Sequence, residues 1–141
     1  MTKDQMFHIG VNVFVVKKKR LLLGKRKNVY GAGDWGLPGG HLEFKEGMKA
    51  GAKRELYEET GLRARDLSFV NLANDSKQQR DRHYMHIGFL AKGVKGKPVL
   101  KEPDRCDGWA WFALNKLPKN IFSGHAEQIK AFKQKSFFVD D

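Results

Sequence analysis

Three glutamates, Glu55, Glu58 and Glu59, stand close together in a segment dominated by helix-forming residues. At about 100° per residue they fall within one arc of roughly 100° on a helix. Ala52 and Leu56 lie beside that arc, so the carboxylates line the edge of a face that can be buried. Like charges this close raise one another's pKa, and either full solvation or a cation among them relieves the strain. All-oxygen clusters suit hard ions such as Mg²⁺ or Mn²⁺. Arg54 sits next to Glu58 on the helical wheel, placed to orient a carboxylate from behind. An acidic helix alone is more often a solvated surface. Gly39-Gly40 ahead of it shifts the reading, because glycines allow close backbone approach and let a carbonyl face the same ion.

Other elements must hold this helix in place. Ile9, Val11, Val13 and Val15 alternate with the period of a strand. The basic run Lys17 to Arg20 falls where a hairpin turn is expected, and Leu21-Leu22-Leu23 reads as the returning strand. Asn28 to Gly36 is a loop, and Pro38-Gly39-Gly40 is a second break. The carboxylate helix is expected from about Glu46 to Thr60, with Gly61 as its stop. Leu67 to Leu72 and Tyr84 to Ala91 look like strands joined by a polar loop, Asn74 to Arg82. Trp109 to Phe112 alternate as a further strand, with Pro118 closing that section. Gly124 to Lys135 reads as a last helix with Ala126, Ile129 and Phe132 on one side. The expectation is an α/β domain over residues 1–141, with a mixed sheet and two helices.

Composition narrows the class. With 141 residues, 40% hydrophobic and 30% charged, the chain has the make-up of a globular domain and not of a disordered one. The single cysteine, Cys106, excludes an intramolecular disulfide and a thiolate metal site, and no activating base beside it suggests a nucleophile. No apolar run is long enough to cross a bilayer. The run from Ile9 to Val16 is short, contains Asn12 and is followed by basic residues, unlike a secretory signal. The expected location is cytoplasmic. The net charge of +11, from 27 Lys and Arg against 16 Asp and Glu, draws polyanions, both nucleotides and nucleic acid. Because the positive charges are spread along the chain, an ordinary basic surface is the favoured reading.

The stretch Gly40 to Leu62 carries a resemblance. Gly40, Glu46, Arg54, Glu55, Leu56, Glu58, Glu59, Gly61 and Leu62 match the Nudix box, G-x5-E-x7-R-E-U-x-E-E-x-G-U with U a bulky aliphatic residue, at every fixed position. This resemblance implies a Nudix α/β/α sandwich in which the box forms a loop-helix-loop. It implies that Glu55, Glu58 and Glu59 are metal ligands, one of them also activating water. Glu46 and Arg54 would hold the loop and orient the ligands, and Gly40 would offer its carbonyl. The implied cofactor is Mg²⁺, with Mn²⁺ as an alternative. The implied reaction is attack of metal-activated water on phosphorus in a diphosphate.

Scattered matches, LLLGKRK from Leu21, LPGGHLE from Leu37 and EPDRCDGWAW from Glu102, resemble one branch of that family. The branch is the nucleoside-triphosphate diphosphatases that hydrolyse modified purine and thiopurine nucleotides. By that resemblance Lys25 and Arg26 contact phosphates, and Glu102 supplies a further carboxylate to a metal. Leu37, His86, Phe122 and Gly124 line a base pocket, with Phe122 able to stack on the base. At His86 the branch more usually has a small or hydroxyl-bearing residue. His125 is similar in position to a catalytic base of Nudix sugar-nucleotide hydrolases, which attack carbon and lack part of the box. No proline occurs between Arg63 and Arg82, where ADP-ribose hydrolases of the family carry one. The expected reaction is a nucleoside triphosphate to a monophosphate plus diphosphate. An RNA 5′-end pyrophosphohydrolase, a sugar-nucleotide hydrolase using His125, and a nucleotide-sensing module without catalysis stay open beside it. The branch also implies a homodimer.

Overall fold

The computed structural model describes residues 5–79 and 82–140. The first strand, β1 (Met6–Phe14), is followed by the short β2 (Val16–Lys17) and by β3 (Arg20–Arg26). Lys18 and Lys19 turn the chain between β2 and β3, both at positive φ (52° and 63°), and Val16 pairs with Leu21 and Lys17 with Arg20. The basic run is thus a hairpin tip, as its charge and position foretold. Two short strands, β4 (Trp35–Gly36) and β5 (Gly39–His41), lead to helix α1 (Met48–Thr60). The long strands β6 (Asp66–Gln79) and β7 (Arg82–Lys92) come next, then β8 (Cys106–Ala113), helix α2 (Ser123–Lys133) and β9 (Phe138–Val139).

The strands divide between two sheets, where the sequence led us to expect one. The first has the order β5-β1-β7-β6-β9 and is mixed, with β1–β7 and β6–β9 parallel and the other pairs antiparallel. The second is antiparallel and runs β2-β3-β4, with β8 also paired to β3. The break falls at Val15, between β1 and β2. From there β3 pairs with β8 through Leu21↔Phe112, Leu22↔Trp111 and Leu23↔Ala110, and not with β1.

Period-2 alternation along β1 explains why helices cover opposite faces. Val11 and Val13 pack with Ala52 and Leu56 of α1 in one core, together with Leu62, Leu67 and Phe89. Phe14, on the other face, packs with Ile129 of α2, Leu21, Leu23 and Leu37. This is the α/β/α arrangement.

Three boundaries differ from the sequence reading. Helix α1 begins at Met48, because Glu46 stays in the preceding loop, where its carboxylate accepts from the Glu43 N–H at 3.0 Å. The stretch expected to be a polar loop after Asn74 is strand to Gln79, and β7 starts at Arg82; Arg80 and Asp81 lie outside the described residues. The polar stretch continues the sheet, since Asn74↔Met85 and Asp75↔Tyr84 remain paired and Asp75 is buried. Helix α2 ends at Lys133 and buries Gly124, His125, Gln128, Ile129 and Ala131, while Ala126 and Phe132 are only partly buried. A face defined by apolar residues alone therefore missed two polar members, which are hydrogen-bonded in the interior.

Among the described residues, no helix is long and apolar enough to cross a membrane.

Candidate active site

The Nudix-box resemblance made Glu46 and Arg54 the residues that hold the loop, and these two define the local structure. Arg54 Nε donates to Glu46 Oε2 at 2.7 Å and Nη2 donates to Oε1 at 2.9 Å, a bidentate pair. The same guanidinium donates to the His41 carbonyl at 3.1 Å, to Glu55 Oε1 at 2.9 Å and to Glu58 Oε2 at 3.3 Å. One cation thus ties the loop, the end of β5 and two helix carboxylates together. These bonds hold the Glu46 carboxyl down to about 2, with Arg54 the leading cause and the Glu43 N–H the next. The guanidinium is correspondingly pushed up by its bonds to Glu46.

Gly39 and Gly40 bring the backbone against this helix. The Gly39 N–H donates to Glu59 Oε1 at 2.7 Å. A Cβ on Gly40 would meet Glu55 Cδ at 2.4 Å, so only glycine lets that carboxylate lie against the strand. Behind them, Trp109 Nε1 donates to the Glu59 carbonyl at 3.3 Å and fixes the end of α1. The Trp109 ring lies over Gly24, its register partner, where a Cβ would come within 2.7 Å.

Glu55, Glu58, Glu59 and Glu102 all line one cavity of about 350 Å³, with Gly39 and Gly40 on the same wall. Glu102 was expected there only by resemblance, and it arrives from the chain ahead of β8. Burial pushes the Glu59 carboxyl up to about 8, against the Gly39 hydrogen bond, and the charges of Glu55 and Glu102 add to the rise. Burial also raises Glu55, opposed by Arg54. Two carboxyls driven toward protonation beside two further carboxylates form a donor set short of positive charge. A hard divalent ion supplies that charge through oxygen ligands alone, so the residues fit such an ion. Among the described residues, no group of three or more acidic, imidazole or thiol side chains is preset for one ion. The side chains are instead drawn apart, Glu55 to Arg54 and Glu59 to Gly39.

The other end of the cavity is walled by Leu37, Phe122, His86 and His125, with Lys25 and Arg26 also on the lining. Arg26 donates twice to the Tyr30 carbonyl, at 3.0 and 2.8 Å, and its guanidinium lies 3.9 Å above the Phe122 ring. Phe122 is 3% exposed. It is therefore a wall capped by Arg26 and not an open stacking platform. Gly124 lies behind His86 and off the cavity wall. A Cβ there would come within 2.4 Å of His86 Nε2 and 2.5 Å of Asp75 Oδ2, so the glycine admits α2 against that pair.

Polar residues that the sequence reading did not single out connect this end to the interior. Asn71 Nδ2 donates to the Gln128 carbonyl at 3.0 Å, and a carbonyl can only accept. Asn71 Oδ1 then accepts from Gln128 Nε2 at 3.2 Å, and Gln128 Oε1 accepts from Asn12 Nδ2 at 2.7 Å. Asn12 Nδ2 also lies 3.3 Å from His86 Nδ1, which must accept. His86 Nε2 is thereby left to donate to Asp75 Oδ2 at 3.1 Å. The one early signal was Asn12, a polar residue inside an apolar strand.

His125 has its own constraint. The Leu37 N–H donates to His125 Nδ1 at 3.0 Å. Burial holds this imidazole well below its usual pKa, so it is neutral, and its proton must sit on Nε2. A ring with Nδ1 occupied and Nε2 protonated has no lone pair to take a proton from water. The base role open to His125 on the sequence is therefore closed by this hydrogen bond, and the ring faces the cavity as a donor. Cys106 also lines the cavity, but burial raises its thiol pKa, which disfavours a nucleophile.

Known proteins resemble this chain over most of its length. The NUDIX domain family matches residues 6–132. A Methanocaldococcus jannaschii protein named ADP-ribose pyrophosphatase is 32% identical over 124 residues, 88% of this chain and 72% of that protein. The oxidized purine nucleoside triphosphate hydrolase of Mus musculus is 36% identical over 107 residues, 75% of this chain and 66% of its own length. Among solved structures, a MutT NUDIX hydrolase from Burkholderia pseudomallei superposes with a TM-score of 0.84 at 29% identity, covering 89% of this chain and 98% of that one. The glutamate-lined cavity and these likenesses lead to one conclusion: the chain belongs to the Nudix family of hydrolases.

Proposed function

We propose that the chain hydrolyses a nucleoside triphosphate to its monophosphate and diphosphate in a Mg²⁺-dependent reaction. The observation that carries this reading is that four glutamates share one cavity with Leu37, His86, Phe122 and His125. Glu55, Glu58, Glu59 and the Gly40 carbonyl would hold the ion, with Glu102 as a further ligand. A divalent ion held there lowers the pKa of water and offsets diphosphate charge. Arg54 and Glu46 keep the ligands aimed without touching substrate. Leu37, His86 and Phe122 enclose one base, and the His125 Nε2–H offers it a hydrogen bond. That donor favours a base with an acceptor at its edge, such as a purine carbonyl. Lys25, on the cavity lining, is the side chain best placed to meet a phosphate, because Arg26 is already engaged with Tyr30 and Phe122.

The relative from Methanocaldococcus jannaschii makes ADP-ribose the competing substrate. RNA 5′ ends are the alternative that the +11 charge supports. The deciding experiment compares kcat/KM for natural and oxidised purine triphosphates, ADP-ribose and a 5′-triphosphorylated RNA with Mg²⁺. A preference for ADP-ribose or for RNA by an order of magnitude would overturn the triphosphate reading. We further propose a homodimer. It is supported by Phe7, Ile9, Met85 and Phe69, exposed on the sheet face beyond α1, where Ile9 is the partner of Met85.

A further inference from the structure

The cavity floor beside the carboxylates carries a second cluster that the hydrolytic reading does not use. His8 on β1 and Tyr84 on β7 are register partners, and their rings stack 5.1 Å apart. His41, at the end of β5, lies 5.0 Å from His8, and its Nε2 is 3.0 Å from the Tyr84 hydroxyl. Arg82 Nη1 donates to that same hydroxyl at 3.4 Å. Three nitrogen-bearing side chains therefore gather around one hydroxyl, and Tyr84 and His41 are on the cavity lining. Among the described residues, no carboxylate forms an ion pair with Arg82, His8 or His41.

His8 stands behind Tyr84 and His41 and off the cavity lining. Nε2 of His8 is buried and has no hydrogen-bond partner in the described structure. Buried ring nitrogens normally have one, and here the protein itself does not supply it. The same cavity is lined by Glu55, Glu58, Glu59 and Glu102. A ligand touching both groups must be held through a cation at one end and must bring oxygen acceptors to the other. Guanidinium forks and imidazole N–H groups recognise phosphate in this way.

We propose that Arg82, His41 and the Tyr84 hydroxyl, backed by His8, form an anion subsite for a phosphate group that the metal does not coordinate. The proposal extends the nucleotide reading of the cavity and rests on it for the identity of the ligand. That phosphate has two chemical sources, the released diphosphate end or a second phosphate on the sugar.

Equilibrium titration without turnover separates them. The probes are inorganic pyrophosphate, a nucleoside 5′-monophosphate and the matching 3′,5′-bisphosphate, each titrated into the full chain. The variants are Arg82→Gln, Arg82→Lys and His41→Gln, with Lys18→Gln at the hairpin tip as a control for diffuse charge. Losing a hydrogen bond to a charged group should weaken binding roughly tenfold or more. Arg82→Gln and His41→Gln should show this loss for pyrophosphate or for the bisphosphate, leave the monophosphate nearly unchanged, and be partly rescued in Arg82→Lys. Loss with pyrophosphate assigns the subsite to the diphosphate end, and loss with the bisphosphate alone assigns it to the sugar phosphate. Wild-type affinity of both variants for all three probes, or an equal loss in Lys18→Gln, would overturn the proposal. Failure of the nucleotide reading looks different, as absence of monophosphate binding to the unaltered chain.

Discussion

The backbone N–H of Leu37 donates to Nδ1 of His125 over 3.0 Å. A main-chain donor cannot be titrated away, so the neutral ring must present Nε2–H to the cavity. His125→Phe keeps a ring and removes the donor. We expect KM for the preferred triphosphate to rise about tenfold, the worth of one well-placed hydrogen bond, with kcat within about threefold of the parent. A loss confined to kcat, of the size expected for a missing general base, would restore a catalytic role to His125.

Arg54 and Glu46 form the brace of the carboxylate helix. Glu46 has a depressed pKa in the folded chain, so its contribution to stability is present above the unfolded value of 4.5 and fades as pH falls toward about 2. Acid unfolding of Glu46→Gln should therefore depend less steeply on pH across that window than unfolding of the parent. Arg54→Ala frees Glu55 and Glu58 from their common donor. Mg²⁺ affinity should fall by roughly 10–100-fold, as for other groups that orient metal ligands. Unchanged Mg²⁺ titration curves for Arg54→Ala would show that the brace does not aim the ligands.

Glu59 provides a prediction of opposite sign. Its folded pKa is raised to about 8, so without metal the folded state binds this proton more tightly than the unfolded chain does. Stability from that proton is full below 4.5 and is lost as pH rises through about 8. Glu59→Gln should melt at a higher temperature than the parent at pH 9 in chelator, and gain less from added Mg²⁺. Its activity should fall by a factor of about 100 or more. Equal melting of both proteins at pH 9 would contradict the burial argument, and full activity of Glu59→Gln would remove Glu59 from the ligand set.

Gly40 separates packing from chemistry. The Cβ of Gly40→Ala would overlap the Glu55 carboxylate and drive it away from the strand. We expect Mg²⁺ affinity to drop with far less effect on the far end of the cavity, read as retained monophosphate binding. Unaltered metal affinity in Gly40→Ala would show that Glu55 reaches the ion without lying against the backbone.

Much of the glutamate end of the cavity was legible in the chain, because its residues are local. Glu55, Glu58 and Glu59 lie within two helical turns, and the Gly61 cap at φ 75° closes α1 where a glycine stop was expected. Gly40 and Arg54 meet the same helix through a short loop. The rest of the cavity was harder to read, because its residues come together only through the sheet. His8 and Tyr84, or Asn12 and Gln128, are far apart in sequence and adjacent only by strand register and helix docking. Arg26 was expected to contact a phosphate; it lines the cavity, but its clamp on Tyr30 and Phe122 has no local signature. The His125 tautomer depends on one long-range hydrogen bond from Leu37. Strand polarity misled from Asn74 onward, since a polar strand and a loop share the same composition.

Metal-dependent attack of water on phosphorus in a nucleoside triphosphate leaves its mark on the products. Hydrolysis of the preferred triphosphate in ¹⁸O-water with Mg²⁺, followed by mass analysis, reads that mark. We expect a nucleoside monophosphate and pyrophosphate, with ¹⁸O on phosphorus in one of them and no turnover in excess chelator. Label on a sugar carbon, release of orthophosphate alone, or undiminished turnover in chelator would contradict it.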